Sequence, residues 1–189
     1  LVDKQTGMLY TDATGALPTL FLDGNQYYFV AYDYDTNYIF AIPITGQTDA
    51  SIIAAFEEGF KSLREKGFKP QFNVTDNQAA TPIKNYLKTQ KCDYQFVEPS
   101  NHRVNAAERA IQTWKSHTIG VLSGLPTNFP LRAWDYLLPQ IDMQVNLLRF
   151  SNVTPNVCSW TVLNGQHDFN RHPLAPLGID MQMLEHPDK

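Results

Sequence analysis

The order of strand-like and helix-like segments is the feature that most constrains the fold of this chain. Three strand-like runs come first, at 7–12, 26–34 and 37–44, and a short turn joins the last two as a hairpin. Helix-like and strand-like segments then alternate: 48–67, 70–77, 79–90 and 93–100. Two more helical segments follow, at 105–123 and 129–150, the second expected to be kinked or broken near Pro139. This order predicts an α/β fold with a five-stranded mixed sheet flanked by helices.

The segment order also predicts how the chain is divided. Three antiparallel strands followed by two strand–helix crossovers form the ribonuclease-H-like arrangement, which residues 1–150 would complete as one domain. Residues 151–189 contain several Pro, Asn and Gly and show little periodicity. They are expected to form an extended arm that packs on the body and leads toward a further module. The chain does not begin with Met, so it is interpreted as a piece of a longer polypeptide.

Composition excludes several classes of protein. No apolar run is long enough to span a bilayer, and no secretory signal pattern is present. The two cysteines are isolated and the five histidines lack paired ligand spacing, which excludes a disulfide framework and a Cys/His zinc site. A metal bound by this chain would therefore need oxygen ligands.

The net charge of −4 bears on possible partners. Proteins that bind DNA on their own usually present a basic surface. The charge therefore argues against autonomous DNA binding, but it does not argue against an enzyme whose active site is itself acidic.

Three carboxylates stand at the ends of predicted elements. Asp12 ends the first strand, Asp76 ends the fourth, and Glu108 lies in the first turn of the helix after the fifth. Sites in open sheets form where strand ends and their loops diverge, so these three side chains are expected to meet. Clustered carboxylates repel one another unless cations neutralise them, and hard oxygen ligands select Mg²⁺ or Mn²⁺.

Each of these acids also has a purely local interpretation. Glu108 could close a capping box with Asn105, Asp12 could serve a turn, and Asp76 could cap the next helix. Asp33 and Asp35 are weaker ligand candidates, because they sit at the predicted hairpin turn where Asp is common.

Several motifs together resemble the catalytic core of a retroviral or long-terminal-repeat retrotransposon integrase. The resemblance covers nearly the whole chain, and its strength lies in the order of the motifs with the right elements between them. Asp76 lies 64 positions after Asp12, and Glu108 lies 32 positions after Asp76. The motifs are YTDATGALP at 10–18, YDYDTNYIFAIPI at 32–44, NVTDN at 73–77, PSNHRVNAAERAIQTWK at 99–115, LLPQIDMQVNLLR at 137–149 and FNRHPLAPLG at 169–178.

The resemblance implies a function and a set of site residues. Asp12 and Asp76 would bridge one of two Mg²⁺ or Mn²⁺ ions, and Asp12 and Glu108 the other. The chain would trim the 3′ ends of retroelement DNA and join them to target DNA, as a homodimer or higher multimer. It would act in the nucleus, reached through a cytoplasmic particle, with no membrane association. Candidate DNA contacts are Lys115, Arg109, Arg103, His102 and Gln112, and Asn105 and Asn77 would shape the edge of the site.

This sequence also departs from the family pattern. Gln78 stands where the second motif usually has Gly, and the gap before Glu108 is slightly short. The family's amino-terminal zinc module and carboxy-terminal DNA-binding barrel are absent from these residues, which would account for the acidic charge. Two other functions remain open: a nuclease or transposase of the same fold, and a non-catalytic remnant used for protein interaction. The intact set of three acids argues against the remnant.

Overall fold

The computed structural model describes residues 6–76, 80–97 and 106–179. They contain one five-stranded sheet with the strand order β3-β2-β1-β4-β5. β1, β2 and β3 are antiparallel neighbours, whereas β4 runs parallel to both β1 and β5. The predicted α/β fold with a mixed sheet is confirmed. The strands are β1 (Met8–Ala13), β2 (Tyr27–Asp33), β3 (Tyr38–Ile44), β4 (Phe72–Asp76) and β5 (Asp93–Val97).

The helices follow the predicted order. The Thr48 side chain caps α1 by accepting from the Ser51 N–H, and Gly67 just beyond the helix has a positive φ of 85°, a conformation that favours glycine. Pro82 lies in the first turn of α2, where its missing N–H is not needed. The helices are α1 (Asp49–Glu65), α2 (Thr81–Thr89), α3 (Ala106–Ser123), α4 (Leu138–Leu147) and α5 (Ser159–Asn164).

The prediction of one helix over 129–150 is wrong for the first part of this segment. Two 3₁₀ turns, Leu131–Ala133 and Asp135–Leu137, precede α4, which begins only at Leu138. Pro139 therefore occupies the first turn of α4 and does not kink a longer helix. The apolar periodicity continued through the 3₁₀ turns, so the sequence pattern alone suggested one helix.

The sheet separates two apolar clusters. Leu9, Phe29 and Ala31 face a cluster that also contains apolar residues of α1 and α2. Val30 and Tyr32 face the opposite cluster, which contains buried residues of α3 and α4. Because successive strand residues point to opposite faces, this division assigns a face to every residue of β1 and β2.

The β2–β3 hairpin uses both of its aspartates structurally. The Asp33 carboxylate accepts from the Thr36 N–H and hydroxyl, at 2.9 and 2.5 Å. Asp35 accepts from the Thr6 N–H and hydroxyl and from the Gly7 N–H, at 3.0, 2.7 and 2.7 Å. These bonds hold the turn and the start of β1 together. The interpretation of both acids as turn residues, not metal ligands, agrees with these contacts.

The described part of the arm, 151–179, begins by packing on the hairpin. The N–H groups of Asn152 and Val153 both donate to the Asp35 carbonyl at 3.1 Å, and the Ser159 hydroxyl donates to the Asn37 carbonyl at 3.2 Å. The arm also contains the short helix α5, which the sequence pattern did not indicate. The division into 1–150 and 151–189 stays a prediction. None of the helices in the described residues is long and apolar enough to cross a membrane.

Candidate active site

Asp12 lies on β1 in a partly buried position. It pairs directly with Val30 of β2, whose side chain belongs to the cluster that contains α3. Residues opposite each other on an antiparallel pair share a face, so Asp12 projects from the α3 face of the sheet. Its Oδ1 accepts a hydrogen bond of 2.8 Å from the Ala13 N–H, which orients the carboxylate.

The register of β1 and β4 relates Asp12 to Asp76. These parallel strands pair Met8 with Phe72 and Tyr10 with Val74. Two residues further along each strand come Asp12 and Asp76, the last residue of β4. The pairs end at Tyr10 and Val74, and the same register continued to the strand ends sets the backbones of Asp12 and Asp76 level on neighbouring strands. Nothing in the local sequence determines this alignment, because it depends on a contact across 64 positions.

Helix α3 brings Glu108 toward the same face. Glu108 lies in the first turn of α3 and is exposed. The helix buries Ile111 and Trp114 in the cluster that also contains Val30, the partner of Asp12. The structure therefore places Glu108 on a helix that covers the face from which Asp12 projects.

The two flanks of α3 carry different residues. At about 100° per residue, Gln112 and Lys115 fall within roughly 40° of Glu108, on one flank of the buried stripe. Arg109 and Thr113 fall on the other flank. All five side chains are exposed. Gln112 and Lys115 are thus grouped with Glu108, whereas Arg109 is directed elsewhere.

A hydrogen bond between the buried Trp114 and the partly buried Asp142 helps to hold α3 in place. The Trp114 indole is 1% exposed and donates from Nε1 to Asp142 Oδ1 of α4 at 2.8 Å. Asp142 Oδ2 accepts from the Ala41 N–H of β3 at 3.1 Å. Asp142 thereby ties α4 to both α3 and the edge strand. Sequence analysis missed this residue, although an acid between Ile141 and Val145 on an apolar helix face was a usable signal.

Burial gives Asp142 a distinctive pH dependence. Burial raises the pKa of the Asp142 carboxyl from 3.8 to about 7. The hydrogen bonds from Ala41 and Trp114 favour the charged form and act in the opposite direction. Between about pH 4 and pH 7 the folded protein holds a proton that the unfolded chain has released. The stability that Asp142 contributes is therefore present at low pH and is lost as the pH rises toward 7.

We expect Asp142→Asn to remove this part of the pH dependence. Between pH 5 and pH 7 the free energy of unfolding of the wild type should fall more steeply than that of the variant, by up to ~1.4 kcal/mol per pH unit, and the melting temperature should fall with it. Thermal melts across that range measure the difference. Asp23→Asn at an exposed position is the matched control and should keep the wild-type slope. Equal slopes for Asp142→Asn and wild type would contradict the assignment.

Four predicted site residues lie outside the described part of the chain: Asn77, His102, Arg103 and Asn105. The side chain of Asp76 is also outside it, so the predicted grouping of the three carboxylates stays a prediction. Within the described ranges, no group of three His, Cys, Asp or Glu side chains is placed to hold a metal ion. The aligned backbone positions of Asp12 and Asp76, with Glu108 on the helix above, fit an oxygen-ligand site for Mg²⁺ or Mn²⁺.

Solved structures with this fold include retroviral integrase catalytic cores. The HTLV-2 integrase catalytic core in complex with magnesium, in a trimeric form, matches with a TM-score of 0.61 at 16% identity over 85% of this chain and 97% of that chain. The BIV integrase catalytic core matches with 0.61 at 15% identity over 84% and 93%. A chain of the simian T-cell lymphotropic virus intasome in complex with a PP2A regulatory subunit matches with 0.67 at 16% identity, over 96% of this chain and 61% of that one.

These similarities define the fold of the chain. It has the ribonuclease-H-like fold of integrase catalytic cores, and the HTLV-2 core also matches in a dimeric form at 17% identity and a TM-score of 0.59. No family model matches the sequence, and no curated protein does. The likeness is therefore one of structure at low sequence identity.

Proposed function

We propose that this chain is an integrase catalytic core, a metal-dependent polynucleotidyl transferase that trims the 3′ ends of retroelement DNA and joins them to target DNA. The observation that carries the proposal is the register of β1 and β4, which sets Asp12 and Asp76 level on neighbouring strands when it is continued to the strand ends. Helix α3, which bears Glu108, covers the face from which Asp12 projects. The fold shared with integrase cores supports the proposal.

The chemistry would be divided between bound metal and protein. Two Mg²⁺ or Mn²⁺ ions held by Asp12, Asp76 and Glu108 would activate an attacking water or 3′-hydroxyl and stabilise the leaving oxygen. The chain itself orients the Asp12 carboxylate through the Ala13 N–H and holds Glu108 in place through the buried face of α3. Lys115 and Gln112, on the Glu108 flank, supply a cation and an amide for a DNA phosphate beside the site.

The partners would be element-end DNA and target DNA. A homodimer or higher multimer is proposed because the similar HTLV-2 cores are described in dimeric and trimeric forms. The substrate would be chromosomal DNA, so the place of action would be the nucleus, reached through a cytoplasmic particle.

A joining assay with paired DNA ends tests the function. In Mg²⁺ the protein should transfer a labelled 3′ end into a second duplex, and EDTA should abolish the product. Cutting without joining would instead identify a nuclease of the same fold. A protein that shows neither activity and binds no Mg²⁺ would be the non-catalytic remnant, and the proposal would be wrong.

A further inference from the structure

A small cavity on the other flank of α3 is not part of the candidate active site. Its volume is about 160 Å³, well above the ~10–15 Å³ that a single water molecule requires, so it has room for a larger group. It opens on the α3 face of the sheet, since Tyr32 of β2 belongs to that face. The lining residues are Tyr32, Arg109, Ala110, Thr113 and Arg149.

Arg149 is held in place before any ligand binds. Its Nε donates to the Asn37 carbonyl at 3.0 Å, and Nη2 donates to the Asn37 side-chain oxygen. The guanidinium lies over the Tyr32 ring, 5.8 Å from the centroid. A guanidinium carries five N–H donors, so these contacts leave part of its donor set for a ligand. Arg149 is therefore held in one orientation and keeps N–H donors that can bind a ligand.

The cavity combines two cations with no carboxylate. Neither Arg109 nor Arg149 forms an ion pair within residues 6–76, 80–97 and 106–179, and no acid is among the lining residues. Arg149 is partly buried, and burial lowers the pKa of its guanidinium. A partly buried charge without a counterion is costly, and a bound anion would relieve this cost.

We infer that this cavity is a phosphate-binding site in which Arg109 and Arg149 hold the anion from two elements and the Thr113 hydroxyl lies beside it. Two planar guanidinium groups match the oxygens of a phosphate in paired hydrogen bonds. The phosphate can come from a nucleic-acid backbone or from free phosphate in solution. The backbone source rests on the proposed function, whereas the free-phosphate source does not.

The position of the cavity suits a strand of DNA that also enters the candidate active site. Tyr32 pairs with Tyr10, which lies two residues before Asp12 on β1. The backbones of Tyr32 and Asp12 are therefore roughly 8 Å apart, from the rise and spacing of strands. With a rise of about 3.4 Å per nucleotide, this distance corresponds to two or three nucleotides.

The decisive variant is Thr113→Glu, which sets a carboxylate into the cavity without removing a bond of Arg149. Arg109→Gln removes one cation from an exposed position, and Arg171→Gln is the matched control on the exposed arm. Two probes are used in EDTA, so that metal chemistry plays no part. They are a fluorescent DNA duplex followed by anisotropy over a salt series, and inorganic phosphate followed by its stabilisation of the protein to heat.

For the duplex we expect roughly tenfold weaker binding by Thr113→Glu, and a salt slope reduced by about 1 for both cavity variants. Phosphate should stabilise wild type and Arg171→Gln but not Thr113→Glu. If Thr113→Glu loses stabilisation by inorganic phosphate but binds the duplex like wild type, the site is assigned to free phosphate. If Thr113→Glu binds the duplex and is stabilised by phosphate as wild type is, the inference is overturned. Strand transfer by the wild type in Mg²⁺ is measured separately from probe binding in EDTA, so failure of the proposed function and failure of this site are separate results.

Discussion

Asp76→Asn is expected to reduce strand transfer by more than ~100-fold. The substitution keeps the shape of the side chain but removes a negative oxygen ligand from the proposed two-ion site. Loss of a residue that only supports a metal ligand typically costs 10- to 100-fold, so loss of a ligand should cost at least as much. The measurement is the yield of joined product from paired DNA ends in Mg²⁺.

The neighbouring strand β5, which pairs with β4, offers a matched control. Asp93 is exposed at the beginning of β5, where it pairs with Phe72, whereas Asp76 pairs with Val97 at the other end. Asp93→Asn makes the same chemical change away from the candidate site and should leave strand transfer within about twofold of wild type. If Asp76→Asn joins DNA as well as Asp93→Asn does, the assignment of the three acids is wrong.

Trp114→Ala is expected to produce the largest loss of stability. The indole is 1% exposed, makes an edge-on contact with Tyr28 at 4.9 Å between ring centroids, and donates to Asp142. Truncation of a buried aromatic residue costs about 3–5 kcal/mol, and here it also removes a hydrogen bond from the partly buried Asp142 carboxylate. The melting temperature should fall by roughly 10 °C or more, as calorimetry can measure.

The control for this variant lies on the same helix. Ile119 is 63% exposed, and Ile119→Ala should change stability by less than about 0.5 kcal/mol. Trp114→Phe keeps most of the apolar volume but lacks the indole N–H, so it separates packing from the hydrogen bond to Asp142. A fall of only 1–2 °C for Trp114→Ala would mean that α3 is not anchored through this residue.

Local pattern predicted most of the elements on which the site depends. The strand-like runs of β1 and β2, and the apolar spacing in α1 and α3, are encoded within a few residues of each other in the sequence. These elements therefore came out in the right order with boundaries close to those observed. The exception at 129–150 has the same origin, because 3₁₀ turns and an α-helix leave similar apolar spacing in the sequence.

Side-chain partners from distant segments could not be predicted in this way. Helical geometry separated Arg109 from Glu108 by about 100° around α3, yet only the structure shows that Arg109 meets Arg149. The prediction that Arg109 contacts DNA stays a prediction. Asp142 was missed for a related reason, since its role depends on Trp114 and on the backbone of β3.

The element order and the three acids at element ends follow from the sequence, because they are encoded in periodicity and turn chemistry over short distances. The level positions of Asp12 and Asp76 were decided by the tertiary structure, which set the register between two strands that are far apart in the chain. The meeting of Arg109 and Arg149 was decided in the same way. A shift of one residue in register would move every side chain of β4 to the other face, so such a site exists only once the sheet has formed.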